Sequence, residues 1–417
     1  MSPKLLSLNT YYYRRGGSET VFFDHDALFR SLGWETAVFA MKHPNNEPSP
    51  WGRFFIEEME FGFKYSPVQK LAMAGKVIYS LEARFKLASL LSVFRPDIAH
   101  AHLIYHHLSP SVLTLLRARG IPTVMTAHDL KVACPAYRML NRGGICEKCK
   151  NGNLVHVALN RCINHSLAVS LLIMVESSIH KALGLYRNNL DRIVVPSMFY
   201  RDKLVEWGWP PEKLVHIPNF IRGERFRPQF EPGGYFLYFG RLAPEKGLRT
   251  LISAAKASRI KLYIVGEGPI EYELRQLALD ANGRIQFLGR LLGERLFDVV
   301  RNARAVVVPS EWYENAPMSV LEAYANGKIV IGARIGGIPE LLLDGETGYL
   351  FESGVKEELT GVLDRVGHLT DARLREMGHQ ARAYVIREFT KERYLTEMIA
   401  LYKSLGVQDI NLAMGSV

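Results

Sequence analysis

Short apolar runs rich in Val, Ile and Leu alternate with helical stretches twice along this chain, and no other feature restricts its fold as strongly. In the first half the runs are KLLSLN, ETAVFAM, DIAHAH, PTVMTAH and RIVVPS, with helices between them, for instance Glu19–Leu32 and Ser109–Arg119. The second half repeats the rhythm with YFLYFGR, KLYIVGEG, IQFLGR, AVVVPS, KIVIGA and TGYLF. Strands this uniformly apolar are buried on both faces, and helices between them make the crossovers of a parallel, doubly wound α/β sheet. At 417 residues the chain exceeds what one core supports. Two such domains are therefore expected, at 1–215 and 233–389, separated by a Pro-, Gly- and Arg-rich linker at 216–232. A last amphipathic helix at 390–407 has no strand after it and either finishes the second domain or crosses back to the first. The tail VQDINLAMGSV reads as frayed.

Forty-eight per cent apolar and 23% charged residues describe an ordinary globular chain. No run approaches the roughly 18 apolar residues of a bilayer span, and the N-terminus reads as a first strand and not as a signal peptide. A cytoplasmic protein is expected, with peripheral contact at the inner face of the cell membrane as an added expectation. The net charge of +10 is uneven: residues 1–215 carry 26 basic and 17 acidic residues, net +9, leaving 26 and 25, net +1, for the rest. An anionic partner for the first half, or solvated cations that simply keep the chain soluble, would each account for this. Residues 68–95 read as one helix whose Lys70, Lys76, Arg84, Lys86 and Arg95 oppose an apolar face. That helix is either a lipid-surface element or a core helix with a solvated side.

In VVVPSEWYENAPMSVLEAYANGKIVIG, from Val306 to Gly332, a buried strand ends at Pro309, an acid is exposed at Glu314, and a second acid, Glu322, lies one turn into the next helix. FGRLAPEKG, VGEGP and LGR also close strands. Carboxyl ends of parallel strands share one side of a sheet, where open α/β sheets bind ligands. Glycines 240, 266, 268 and 289 would let a ligand approach the backbone. Arg241 and Lys246 have no acid in their own loop except Glu245, so they suit a diphosphate; an exposed ion pair is the plainer reading. Two carboxylates beside them would clamp vicinal diols, as in ribose or hexose. GEGP does not complete a dinucleotide fingerprint, and the chain has no P-loop motif.

These motifs, with GGSE at Gly16–Glu19 and GGIPELLLDGETGYLF, resemble glycosyltransferase family 4, retaining nucleotide-sugar enzymes of the GT-B fold. The resemblance implies two Rossmann-like domains facing across a cleft, with donor held by the second and acceptor by the first, and a last helix that returns to the first. It implies that Arg241 and Lys246 bind the donor diphosphate and stabilise the leaving group. Glu314 would meet the sugar hydroxyls and Glu322 the ribose diol, with Asn315, Met318 and Ser319 beside them. Gly16 and Gly17 would loop over the diphosphate, and Gly240, Gly266 and Gly268 would line the donor site. His128 in VMTAHDLK would stand near the transferred sugar, while His102 is either a sugar or acceptor contact or a structural residue. The expected reaction moves a hexose-type sugar from UDP- or GDP-sugar to a glycan or lipid-linked acceptor, with no nucleic acid as partner. No catalytic metal is expected, because the two cations would replace it; Asp24 and Asp26 in DHD fall in a helix. The alternatives are a catalytically silent nucleotide-sugar scaffold and a GT-B phosphorylase or epimerase.

All four cysteines lie in an insertion at 134–162, spaced Cys134-x11-Cys146-x2-Cys149-x12-Cys162. A structural zinc site fits this spacing. Disulfides, reduced buried thiols and an iron–sulfur centre remain open, disulfides being disfavoured by a reducing compartment.

Overall fold

The computed structural model describes residues 2–59, 66–141 and 143–408, with side chains at 67–71 excepted. The chain forms two compact units. The first comprises the chain up to Pro196, Tyr200–Ile217 and the segment from Leu395; the second comprises Ser197–Phe199 and Pro218–Tyr394.

The strands of the first unit are β1 (Lys4–Leu8), β2 (Glu35–Phe39), β3 (Ile98–Ala101), β4 (Thr123–Thr126), the two-residue pair β5 (Leu140–Asn141) and β6 (Gly144–Ile145), β7 (Arg192–Val195) and β8 (Leu214–His216). Its helices are α1 (Gly17–Ser31), α2 (Pro67–Ile78), α3 (Leu81–Val93), α4 (Ser111–Ala118), α5 (Val155–Leu159), α6 (Leu167–Ala182) and α7 (Met198–Glu206). Six strands run parallel in the order β2-β1-β3-β4-β7-β8, and β5 and β6 form a small antiparallel hairpin. Since β2 lies on one side of β1 and β3 on the other, the winding reverses between β1 and β3.

In the second unit β9 (Phe236–Phe239), β10 (Leu262–Val265), β11 (Ile285–Gly289), β12 (Ala305–Val308), β13 (Val330–Ala333) and β14 (Gly348–Phe351) alternate with α8 (Leu248–Ala257), α9 (Glu271–Ala278), α10 (Glu294–Arg301), α11 (Met318–Ala325), α12 (Ile338–Leu341), α13 (Lys356–His368) and α14 (Asp371–Glu388). The order β11-β10-β9-β12-β13-β14 is wholly parallel and reverses between β9 and β12. Leu237, Ile264, Val306, Val307 and Ile331 are buried to within 1% at the centre of one contiguous core, as apolar strands with helices on both faces require. On α8 the buried Leu248, Leu251, Ile252 and Ala255 follow the three-and-four spacing of a helix face. The expected α/β class, two doubly wound sheets of the GT-B type, is thus the fold.

Three expectations are corrected. The stretch at 216–232 is not a free linker: His216 ends β8, while Ile221 and Phe226 are buried in the second unit's core, and Ile221 bridges to Thr390. An edge strand of three residues followed by Pro218 carries too little periodicity to read. Residues 68–95 are two helices, broken at Tyr79–Ser80, where the Ser80 hydroxyl accepts from the Ala83 N–H at 3.1 Å and caps α3. The exposed side of α3 carries Leu81, Phe85 and Val93, so no clean basic face forms; Lys70 lies outside the described side chains. The final helix α15 spans Lys391–Ser404, and the tail from residue 409 lies outside the described residues.

Candidate functional site

The reversal in the second unit sets the loop after β9 beside the loop after β12. Gly247 makes the fit close. It adopts φ +67°, and a Cβ there would fall 1.8 Å from the Pro309 carbonyl oxygen. Glycine alone tolerates both demands, so the start of α8 can lie directly against the end of β12. Lys246 consequently meets Glu314 across 68 residues of sequence, Nζ to Oε1 at 2.6 Å, and Ser310 Oγ donates to the same oxygen at 2.6 Å.

Glu314 is buried and paired, which corrects the expectation of an exposed acid. Burial alone would raise its pKa; the Lys246 charge and the hydrogen bonds from Lys246 and Ser310 outweigh that and hold it below the ordinary carboxylate value. Lys246 Nζ also stands 5.1 Å from the Trp312 ring centroid. Arg241 pairs with the buried Glu245, yet about half of its side chain remains exposed. Both cations therefore have acidic partners, one of them invisible from the loop sequence. Glu322 is the fifth residue of α11, whose first two residues are Met318 and Ser319. Asn315 is nearly buried, its Oδ1 accepting from Ser197 Oγ at 2.9 Å.

Two of the expected glycines, Gly266 and Gly268, also have a packing reason. A Cβ on Gly266 would meet the Gly240 carbonyl oxygen at 1.9 Å, and one on Gly268 would meet the Leu242 oxygen at 2.2 Å. The chain's own backbone, packed loop on loop, already demands them. Gly336 and Gly337, which open the GGIPELLLDGETGYLF motif, take a similar place: the Glu314 and Asn315 backbone lies 2.3 and 2.0 Å from where their Cβ atoms would be.

In the first unit, Thr10 N–H and Oγ1 both donate to the Leu103 carbonyl, at 2.8 and 2.6 Å, and Leu103 N–H donates to Asn9 Oδ1 at 3.0 Å. These bonds tie the loops after β1 and β3 together at the reversal. Gly16 precedes α1 with extended backbone, and Gly17 opens the helix. Behind them lies a buried imidazole bundle. His102 Nδ1 and His128 Nε2 are 2.8 Å apart with stacked rings, and His100 stacks on His102. His100 also contacts Tyr402 Oη of α15 and, at 2.7 Å, Thr126 Oγ1; His25 meets the same Tyr402 hydroxyl at 3.1 Å. Burial lowers all four imidazoles, His25 to about 3 and His128 to about 4. They are neutral near pH 7, so one nitrogen of the His102–His128 pair donates and the other accepts. His102 Nε2 has no protein partner. Asp129, missed in the sequence, is pushed up to about 6 by burial, despite hydrogen bonds from the Lys131 N–H and Tyr105. Asp24 and Asp26 lie in α1 and pair with Arg14, at 3.7 Å, and Arg30.

A family model described as Glycosyltransferase Family 4 matches residues 15–225, and one described as Glycosyl transferases group 1 matches 222–384. The chain is 27% identical over 344 residues to N-acetyl-alpha-D-glucosaminyl L-malate synthase of Bacillus anthracis, covering 80% of this chain and 81% of that protein. It is 27% identical to a GDP-mannose-dependent alpha-mannosyltransferase of Corynebacterium glutamicum, covering 85% and 79%. Among solved structures, sucrose-phosphate synthase from Thermosynechococcus elongatus superposes with a TM-score of 0.72 at 20% identity, over 97% of this chain and 99% of that one. Anabaena HepE in complex with UDP and glucose superposes at 0.66 and 17%, over 97% and 100%.

Proposed function

Because the chain belongs to glycosyltransferase family 4, we propose that it moves a hexose-type sugar, with retention of anomeric configuration, from a UDP- or GDP-sugar to a glycan or lipid-linked acceptor. The observation that carries this reading is the Lys246–Glu314 pair at the reversal of the second sheet, with the half-exposed Arg241 on the neighbouring loop. Names among the similar proteins support the donor class, since one relative is GDP-mannose-dependent and one solved neighbour holds UDP and glucose.

Departure of a nucleoside diphosphate builds negative charge on its β-phosphate. Lys246 and Arg241, already fixed by Glu314 and Glu245, meet that charge with little reorganisation. Glu314 has one oxygen bound to Lys246 and Ser310, and we assign its other oxygen to a sugar hydroxyl. Glu322 takes the ribose diol. His128 serves the transferred sugar as a neutral imidazole. The acceptor proton passes to the leaving phosphate, which needs no enzymic base.

The test is thermal-shift binding of UDP, GDP and their sugars, followed by donor turnover with and without candidate acceptors. Turnover that disappears in a folded Glu314→Ala variant supports transfer. A wild-type protein that binds donor and never turns it over with any acceptor favours a scaffold.

A further inference from the structure

We propose that the four cysteines of the 134–162 insertion hold one structural zinc ion. All four line a single cavity of about 10 Å³, walled otherwise by Leu140, Val157 and Trp207 among others. That is the room of one water or ion, too small for an iron–sulfur cluster. No pair forms a disulfide.

The surrounding charge fits a tetrathiolate centre, which with one divalent ion carries a charge of −2. Between residues 134 and 162 the chain has Arg138, Arg142, Lys148, Lys150 and Arg161 against one acid, Glu147. Five of the eight non-glycine residues with positive φ among the described residues also fall in or just after this insertion: Tyr137, Met139, Arg161, Asn164 and His165. Left-handed backbone of this kind persists where the surroundings over-determine it, and α5, with five residues, and a hairpin of two-residue strands supply little packing. One ion bonded to four points of the segment would supply the constraint. Among the described residues, no group of three or more His, Cys, Asp or Glu side chains is drawn together as tightly as an ion's ligands would be. The sulfurs ring the cavity, and binding closes them on its centre, each thiol releasing its proton to solvent. The insertion follows directly from the His128–Lys131 loop, and Trp209 Nε1 ties that loop to the unit by donating to the Val132 carbonyl at 3.1 Å. Zinc would thus hold that loop's far end.

Full-length protein purified without chelator should contain about one zinc per chain by elemental analysis. Four thiols should resist a thiol reagent until the metal is stripped, and zinc should be released in step with their modification. Cys146→Ser, at the less buried knuckle, should lose most of the metal. Should that variant fail to fold, metal content and thiol protection of the wild type decide alone. Zinc well below one per chain with freely reactive thiols, intact-mass evidence of disulfides, or iron with sulfide would each overturn the proposal.

Discussion

The two sheets reverse their winding at equivalent places, yet the chain equips the two reversals with opposite chemistry. In the second unit the loops after β9 and β12 carry ion pairs, Lys246 with Glu314 and Arg241 with Glu245. In the first unit, α1, β3 and the loops after β3 and β4 carry four imidazoles, three of them fully buried, whose charged forms desolvation suppresses. Shared topology therefore supplies two concave places and leaves their character to side chains. A preset array of cations suits a leaving diphosphate. Neutral rings, which donate and accept without strong charge, suit hydroxyl groups.

The contrast breaks at one place, and the largest expected effect lies there. Lys131 and Glu176 form a buried ion pair in the first unit at 2.9 Å, with His106 3.1 Å from the same carboxylate. Burial alone would raise Glu176, but Lys131 and His106 hold it at about 2. Removing one partner strands the other charge, so Lys131→Met should cost about 3–5 kcal/mol. Urea unfolding of the first unit, followed by hydrogen exchange, reads this; Lys131→Met with Glu176→Leu should recover most of it. Equal losses in single and double variants would mean that the cost does not come from a stranded charge.

Next in size, Lys246→Ala should lower turnover by about 10²–10³-fold, the usual loss when one preorganised donor to developing charge is removed. Initial rates at saturating donor measure it. Under the contrast drawn above, His128→Ala should reduce turnover while leaving the affinity for the free nucleoside diphosphate within about twofold. A variant at His128 that loses nucleotide binding as fully as Lys246→Ala would erase the distinction.

How much of this was legible depends on whether a contact follows from period or from crossing order. The apolar runs of both sheets have the right period and length, and Gly247 sits in FGRLAPEKG as a visible breaker. The Lys246–Glu314 bond was hidden, because it depends on β9 and β12 being neighbours, which no local pattern encodes. Ser7 and His100 did leave a signal, as polar residues inside strands that are otherwise almost fully buried, with the buried His102 directly after the second of those strands. Tyr402, the hydroxyl that His100 and His25 share, lies 302 residues from His100, and that distance is why the bundle could not be assembled from the sequence.

Gly247→Ala tests whether the second reversal depends on that close approach. The substitution combines left-handed backbone with a Cβ 1.8 Å from Pro309 O, so a loss of about 1–3 kcal/mol is expected, with reduced turnover as Lys246 shifts. Gly345, at φ +78° with nothing within 4 Å of its Cβ position, is the control, where alanine should cost about 1 kcal/mol or less. Equal losses at both sites by denaturant titration would assign the effect to φ alone.

The smallest effect per group, at pH 6, and the one that separates the two chemistries without any mutation, is that of mild acid. Burial places the folded-state pKa of His25 and His128 at about 3 and 4, below the ordinary 6.5. Between those values the unfolded chain binds the extra protons, so stability falls as pH drops through that window. At pH 6 the cost is about 0.8 kcal/mol for each imidazole so depressed. Glu314 acts lower: its folded pKa lies below 4.5, so its contribution persists above that value and is lost only as pH falls through the folded pKa. Amide exchange from pH 7 to pH 5, corrected for intrinsic rates, should therefore show β3, β4 and α15 losing protection while the loops at Lys246 and Glu314 keep theirs. Parallel loss in both would mean that the imidazole bundle is not what makes the first unit acid-sensitive.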